Sequence, residues 1–331
     1  MKTLFIPFLF LLVFFTSCRE DDTETLEKNV ASYDVYIAGK ENNQPCYWKN
    51  GQKINLPVSN IYTPNKIIVE NNHVYIGGRI ATVSFAYHTF WKDGVRVDLD
   101  QYLNVPINNI PEIFDFYVKN GDIYLLGIAT NPNPATPAEK YEFCYWKNGV
   151  KTILFTDEFT YNDFCSITVY DSKVYVSGHK KINGITTFGY FINTTFYPLV
   201  SGYSNNAIAS NASNVYLFGN SPVLFYRNLL TNADTQITDP AVGFISRILL
   251  DNNDVYLQSS DKYFKNSTKV LITDPQYNSI QDMKVVDQNV YMIRYDDNGG
   301  YKVFINNVES QSLLPPYSFD NGFFAIDVVQ N

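Results

Sequence analysis

Short apolar runs recur along the chain at intervals too regular for chance. They read KIIVE (66–70), IFDFYV (113–118), SITVY (166–170), RILLD (247–251) and MKVVD (283–287). A polar pair follows, such as Asn71-Asn72, Asn120-Gly121 or Asn252-Asn253, residues that tolerate the positive φ of tight hairpins. Next comes a VY or IY dipeptide: Val35-Tyr36, Val74-Tyr75, Ile123-Tyr124, Val174-Tyr175, Val215-Tyr216, Val255-Tyr256 and Val290-Tyr291. Successive tyrosines are 39, 49, 51, 41, 40 and 35 residues apart. That period belongs to propeller blades or helical arrays, and no segment after residue 30 sustains a 3.6-residue apolar pattern.

A glycine closes five of the VY segments (Gly39, Gly78, Gly127, Gly178, Gly219), whereas the last two carry Ser259 and Arg294. A third run is aromatic and ends in a turn signal: Tyr47-Trp48-Lys49-Asn50-Gly51, Phe90-Trp91-Lys92-Asp93-Gly94 and Tyr145-Trp146-Lys147-Asn148-Gly149. Weaker copies are Tyr190-Phe191, Phe225-Tyr226, Tyr263-Phe264 and Val303-Phe304, each with Asn two residues on. Asn-Gly after a β run is a strong hairpin signal. A more polar fourth run follows, as in VRVDL (95–99). All three tryptophans occupy one repeat position, which predicts packing between repeats rather than a binding role.

Four antiparallel strands repeated seven times predict an all-β, seven-bladed β-propeller over residues 30–331. The chain enters the repeat at a VY strand and ends in FFAIDVVQN (323–331), which reads as an inner strand with nothing after it. The C-terminal strand is therefore expected to pair with the N-terminal blade and close the ring. The repeat resembles the VYxxG…YWKNG propeller repeat of secreted Bacteroidota proteins, a resemblance that implies a fold but no reaction.

Residues 1–17 stand apart. Met1-Lys2-Thr3 precedes an apolar run, Leu4 to Phe15, that as a helix would reach about 18 Å, short of the roughly 30 Å of a bilayer core. This is an export signal rather than a span. It ends in FTSC, and here the chain resembles bacterial lipoproteins, with Phe15 where their box usually has Leu. The resemblance implies cleavage before Cys18 and lipidation of its thiol. Residues 18–29 then form an acidic tether, similar to the surface-export signal of Bacteroidota lipoproteins. The implied address is the outer membrane of a Gram-negative bacterium, lipid-anchored at the cell surface. The other reading is an ordinary secretory signal beside an unrelated cysteine.

Composition narrows function by exclusion. A net charge of −8 without a basic stripe excludes non-specific nucleic-acid binding. Cys46, Cys144 and Cys165 are widely spaced, with no CxxC or Cys/His pattern, and are expected to be buried thiols. His73, His88 and His179 are isolated, and no Walker loop, GxSxG elbow or HExxH motif occurs, so no metal or cofactor is expected. YDDNGG (295–300) reads as a turn rather than a calcium loop.

Two functional readings remain. In the first, a monomeric binding protein takes a glycan or a surface protein at one propeller face. Its candidates are the aromatics of the connections between repeats: Tyr62, Tyr102, Tyr161, Tyr203, Phe244, Tyr277 and Tyr317. The same rings could instead pack between blades. The insertion 128–143, IATNPNPATPAEKYEF, is expected to be a coil and a further recognition arm or an inert loop. In the second reading, the protein cleaves glycans with carboxylates at the channel mouth. Glu112, Asp115, Asp163, Asp282 and Asp320 are placed there by the pattern.

Overall fold

Two-residue turns with both residues at positive φ set the grammar of the fold. Asn71-Asn72 (φ 50° and 64°), Asn120-Gly121, Asp171-Ser172 and Asp287-Gln288 each join a short apolar strand to the VY strand after it. Asn, Asp and Gly reach this left-handed region at the lowest cost, and the resulting twist suits a tight antiparallel pair. A second set, with Asn50-Gly51, Asp93-Gly94 and Asn148-Gly149, ends the aromatic strands in the same way.

The computed structural model describes residues 33–57, 62–80, 87–104, 112–158, 165–199, 207–220, 223–239, 243–313 and 321–331. Cys18, Asp163, Asp320, Tyr161, Tyr203 and Tyr317 lie outside them. The chain divides into a large unit, 35–329, and a small one comprising 1–34 and 330–331, of which only residues 33, 34, 330 and 331 are described.

Within the large unit the strands form antiparallel meanders of inner, VY, aromatic and outer strands. Glu112–Lys119, Asp122–Thr130, Tyr141–Lys147 and Val150–Asp157 make one such meander, and Tyr62–Glu70, His73–Ile80, Tyr87–Lys92 and Val95–Asp98 make another. A single pair, Tyr87 with Ile113, joins these two into an eight-stranded sheet. Four-stranded sheets follow with inner strands Ile167–Tyr170, Ile208–Ser210, Arg247–Asp251 and Ser279–Val286. In the remaining sheet the inner strand is the C-terminal one, Gly322–Gln330, which lies beside Tyr33–Glu41.

The recurring YWKNG and VY strings are two halves of one local unit. The Asn50, Asn148, Asn193, Asn266 and Asn306 side-chain oxygens accept the backbone N–H of the Val or Ile of the paired VY dipeptide, at 2.8–3.1 Å. Asp93 does the same for Val74 at 2.8 Å. The Asn amide group then donates to the residue before the dipeptide: Asn148 to Asp122 at 2.7 Å and Asn266 to Asp254 at 2.5 Å. In the same register the preceding lysine stands over the paired tyrosine ring. Lys49 covers Tyr36, Lys92 covers Tyr75, Lys147 covers Tyr124 and Lys265 covers Tyr256, at 5.3–5.6 Å.

Trp91 and Trp146 pack against the neighbouring meander, as the repeat position predicts, while Trp48 meets Phe323 of its own sheet edge-on. Trp91 is fully buried and packs with Tyr36, Ala38 and Tyr47 of the N-terminal sheet. Trp146 packs with Phe90 and Leu99 of the meander before its own. The glycine of the VYxxG string has a separate cause. The inner strand bulges between Ile113 and Asp115, bringing the Glu112 carbonyl oxygen against Gly127, where a Cβ would overlap it. Gly39 meets the Gly322 carbonyl in the same way.

One expectation needs correction. The insertion after residue 128 is shorter than the sequence reading, because the VY strand runs to Thr130 and the aromatic strand resumes at Tyr141. The loop between them folds on itself: Asn131 donates to the Glu139 carbonyl, and Asn131 Oδ1 accepts the Asn133 N–H. A single 3-10 turn, Pro137–Glu139, completes it.

Candidate functional site

Every inner strand carries at least one charged or hydroxyl-bearing residue among its apolar ones, and these polar groups meet in one cavity. Its volume is about 970 Å³, and its lining is drawn from all the inner strands, 62–70, 112–119, 167–170, 208–210, 247–251, 279–286 and 322–330. Neighbouring inner strands lie side by side from 62–70 through 279–286, and side-chain bonds link 322–330 to 279–286 and to 62–70.

A recurring bond fixes their direction. Asp115 Oδ2 accepts the Ile167 N–H of the next inner strand at 3.0 Å, while its Oδ1 takes the Phe116 N–H and the Lys66 ammonium of the strand before. Asp282 repeats the arrangement, accepting Ile326 N–H at 2.9 Å and pairing with Arg247. Asp327 repeats it again, with Val69 N–H at 2.7 Å and Lys284 at 2.7 Å. Ser166 Oγ plays the acceptor for Ile208 N–H at 2.8 Å. At the far end, Glu70 takes the N–H groups of turn 120–121, and Asp251 takes those of turn 287–288. Like ends therefore meet like ends. The inner strands run the same way, so their first residues lie together at one end of the cavity.

The charges are not equally placed. Side chains of the three cations Lys66, Arg247 and Lys284 are 21–39% exposed, whereas their carboxylate partners are 7–13% exposed. The cations reach toward the water of the cavity while the carboxylates are turned into the strands. Burial works against the Arg247 charge, but Asp282, Asp115 and Asp327 outweigh it, so the guanidinium is held more firmly protonated than usual. Burial pulls the Lys66 ammonium below its ordinary range, with Asp115 opposing. Arg79 joins them from the VY strand, its guanidinium 4.5 Å over the Tyr87 ring. Burial pushes the Tyr87 phenol up to about 12.

Of the aromatic candidates in the described residues, only Phe244 stands out into solvent, at 50% exposure. Tyr277 is 5% exposed, against Phe304 with Lys302 above it. Tyr62 packs edge-on to Trp91 beneath Arg96, and Tyr102 edge-on to Phe90. Both are half-buried. Among the carboxylates proposed for glycan cleavage, Asp115 and Asp282 are committed to joining strands, and Glu112 opens its strand half-buried.

Other candidate chemistry resolves into structure. His73 pairs with Asp93 at 2.7 Å. The Asp296 carboxylate of YDDNGG accepts the Asn298 and Gly300 N–H groups, closing a turn. Cys46, Cys144 and Cys165 are buried thiols, and burial pushes the Cys46 thiol up to about 12. No group of three metal-ligating side chains occurs among the described residues. Sequence reading missed Lys66, Arg79, Arg247, Lys284 and Asp327. The signal was present as a charge set inside an apolar run, in KIIVE, RILLD, MKVVD and AIDVV.

No family model and no curated protein matches the chain. Solved structures do. A puromycin hydrolase aligns with a TM-score of 0.53 at 8% identity over 85% of this chain and 53% of that one. The Pyrococcus horikoshii acylaminoacyl peptidase aligns at 0.51 and 11% identity, over 86% and 51%. The β-propeller domain of the Trilobed protease from Pyrococcus furiosus aligns at 0.49 and 12% identity, over 88% and 94%. At such identities likeness speaks to fold alone. The chain spans about half the length of the first two of these neighbours. Meanders side by side about a shared cavity have one description. The fold is a β-propeller.

Proposed function

We propose that the protein is a lipid-anchored binding protein of the cell envelope, a propeller of seven blades that takes a glycan or protein ligand at one face. The observation that carries this reading is the common direction of the inner strands. It brings the starts of the inner strands to one end of the cavity, and Phe244, just before the strand Arg247–Asp251, is exposed. A rigid scaffold with its variable connections on one face is a common design for recognition. Asp115 and Asp282 hold neighbouring strands together, which leaves them poorly disposed for acid–base work and favours binding over glycan cleavage.

The test is a glycan array probed with residues 30–331 beside a folded Phe244→Ala variant. Selective binding that the variant loses supports a lectin-like face, and silence across the array removes the glycan reading. Ring closure is tested by deleting residues 323–331, which is expected to abolish soluble monomer; an equally stable truncation refutes closure. Anchoring is tested by Cys18→Ala, which should release the protein from the membrane fraction.

A further inference from the structure

Hydrogen-bond accounting in the cavity does not balance. Asp115, Asp282 and Asp327 are acceptors whose oxygens already take backbone N–H groups and one cation each. Glu70 spends both of its oxygens on the N–H groups of turn 120–121. The cations keep donor capacity beyond these pairs. Arg247 has five N–H donors and engages Asp282 through Nη1, and Lys66 has three and engages Asp115. Five cations, Lys66, Arg79, Lys119, Arg247 and Lys284, line the cavity against four carboxylates, in a protein whose net charge is −8.

Lys66, Arg79, Arg247 and Tyr87 all line this one cavity, and the Arg79 guanidinium lies 4.5 Å over the Tyr87 ring. Asp115 and Asp282 offset Lys66 and Arg247 one for one, yet cations still outnumber carboxylates in the lining, so an added anion would meet net positive charge. We propose that the cavity binds an oxyanion, a carboxylate or a phosphate, between Lys66, Arg79 and Arg247. The planar guanidinium of Arg247 offers the paired donors that such a group accepts, and Lys66 supplies a point charge across from it. Arg79, stacked on Tyr87, is fixed in orientation before the ligand arrives. This site lies within the cavity and does not depend on the exposed Phe244.

The test is calorimetric titration of the full-length protein at low salt with inorganic phosphate, with glucuronate and with glucose as the neutral control. Binding of phosphate or glucuronate but not glucose, weakening as salt is raised, is the expected result. Tighter glucuronate assigns the oxyanion to a carboxylate source, and tighter phosphate assigns it to a phosphate one. Arg247→Gln should weaken binding about tenfold, the loss of one charge-assisted bond. Because that change also removes the partner of Asp282, Arg79→Gln is the second variant and should weaken binding similarly, with the folding of each variant checked by its unfolding transition. Phe244→Ala should leave anion binding intact, which separates this site from the face reading. Absence of binding by both anions, or binding that both arginine variants retain in full, overturns the proposal.

Discussion

The carboxylate of Asp327 accepts the backbone N–H of Val69 at 2.7 Å, across 258 residues of sequence. The bond joins the C-terminal strand to the inner strand of the second meander in the chain, and Lys284 steadies the same carboxylate from the other side. Removing it leaves a buried donor unsatisfied and a cation without its partner. Asp327→Ala is therefore expected to destabilise by about 2–3 kcal/mol, and Asp327→Asn, which keeps an acceptor, by less. Urea midpoints of the two variants check the order, and equal losses would contradict it.

Pairing within the VY–YWKNG unit predicts which substitutions rescue one another. Asn148 faces Asp122, whereas Asp93 faces His73. Asn148→Asp places two carboxylates together and should cost about 1 kcal/mol beyond the loss of the amide bond. Asp122→His in the same chain should recover much of that loss. A double-mutant cycle on thermal midpoints measures the coupling, and simple additivity would refute the paired unit.

Acid should weaken the fold through the same residues. Hydrogen bonds from Lys147 and Asn148 hold the Asp122 carboxyl below its usual range, and Asn266 and Lys265 do the same for Asp254. A depressed folded value means that this stabilisation is complete above the unfolded value, near 4, and is lost as pH falls through the folded one. Both groups are well solvated, so each contribution is small. Stability followed from pH 6 down to pH 2 should fall less steeply in Asp122→Asn/Asp254→Asn. An unchanged slope would show that the acid limb lies elsewhere.

Gly127→Ala and Gly94→Ala separate two reasons for glycine. At Gly127 a Cβ overlaps the Glu112 carbonyl, so the strands must part, at about 1–3 kcal/mol. Gly94 has φ 77° and open space around it, so its substitution costs only backbone strain, about 1 kcal/mol. Chemical denaturation should rank Gly127→Ala as the more damaging, and the reverse order would be wrong for this packing.

The strand grammar was legible because hairpin turns and apolar runs are local. Asn71-Asn72 or Asn148-Gly149 announces its conformation from two letters, and a tryptophan repeated at one position announces shared packing. The contacts across sheets were not legible. Nothing near Asp327 in sequence indicates that its partner is Val69, and nothing near Tyr277 indicates that Phe304 and Lys302 will cover it. Binding was sought among aromatics because they recur, yet the donor-rich cavity is assembled from single charges scattered among apolar strands. Each alone resembles an edge residue, and only the side-by-side arrangement gathers them.

Where Asp115, Ser166, Asp282 and Asp327 bind the following inner strand, the bond has a polarity, acceptor side chain forward and backbone donor behind. Such head-to-tail contacts are indifferent to how many copies follow, so a repeat duplicated or lost by recombination would still offer matching edges. What would resist a change of number is the volume of the side chains packed between sheets, as of Trp91 against Tyr36, Ala38 and Tyr47. The size of the assembly is thus written in side-chain volume between sheets, while its connectivity is written in the carboxylates.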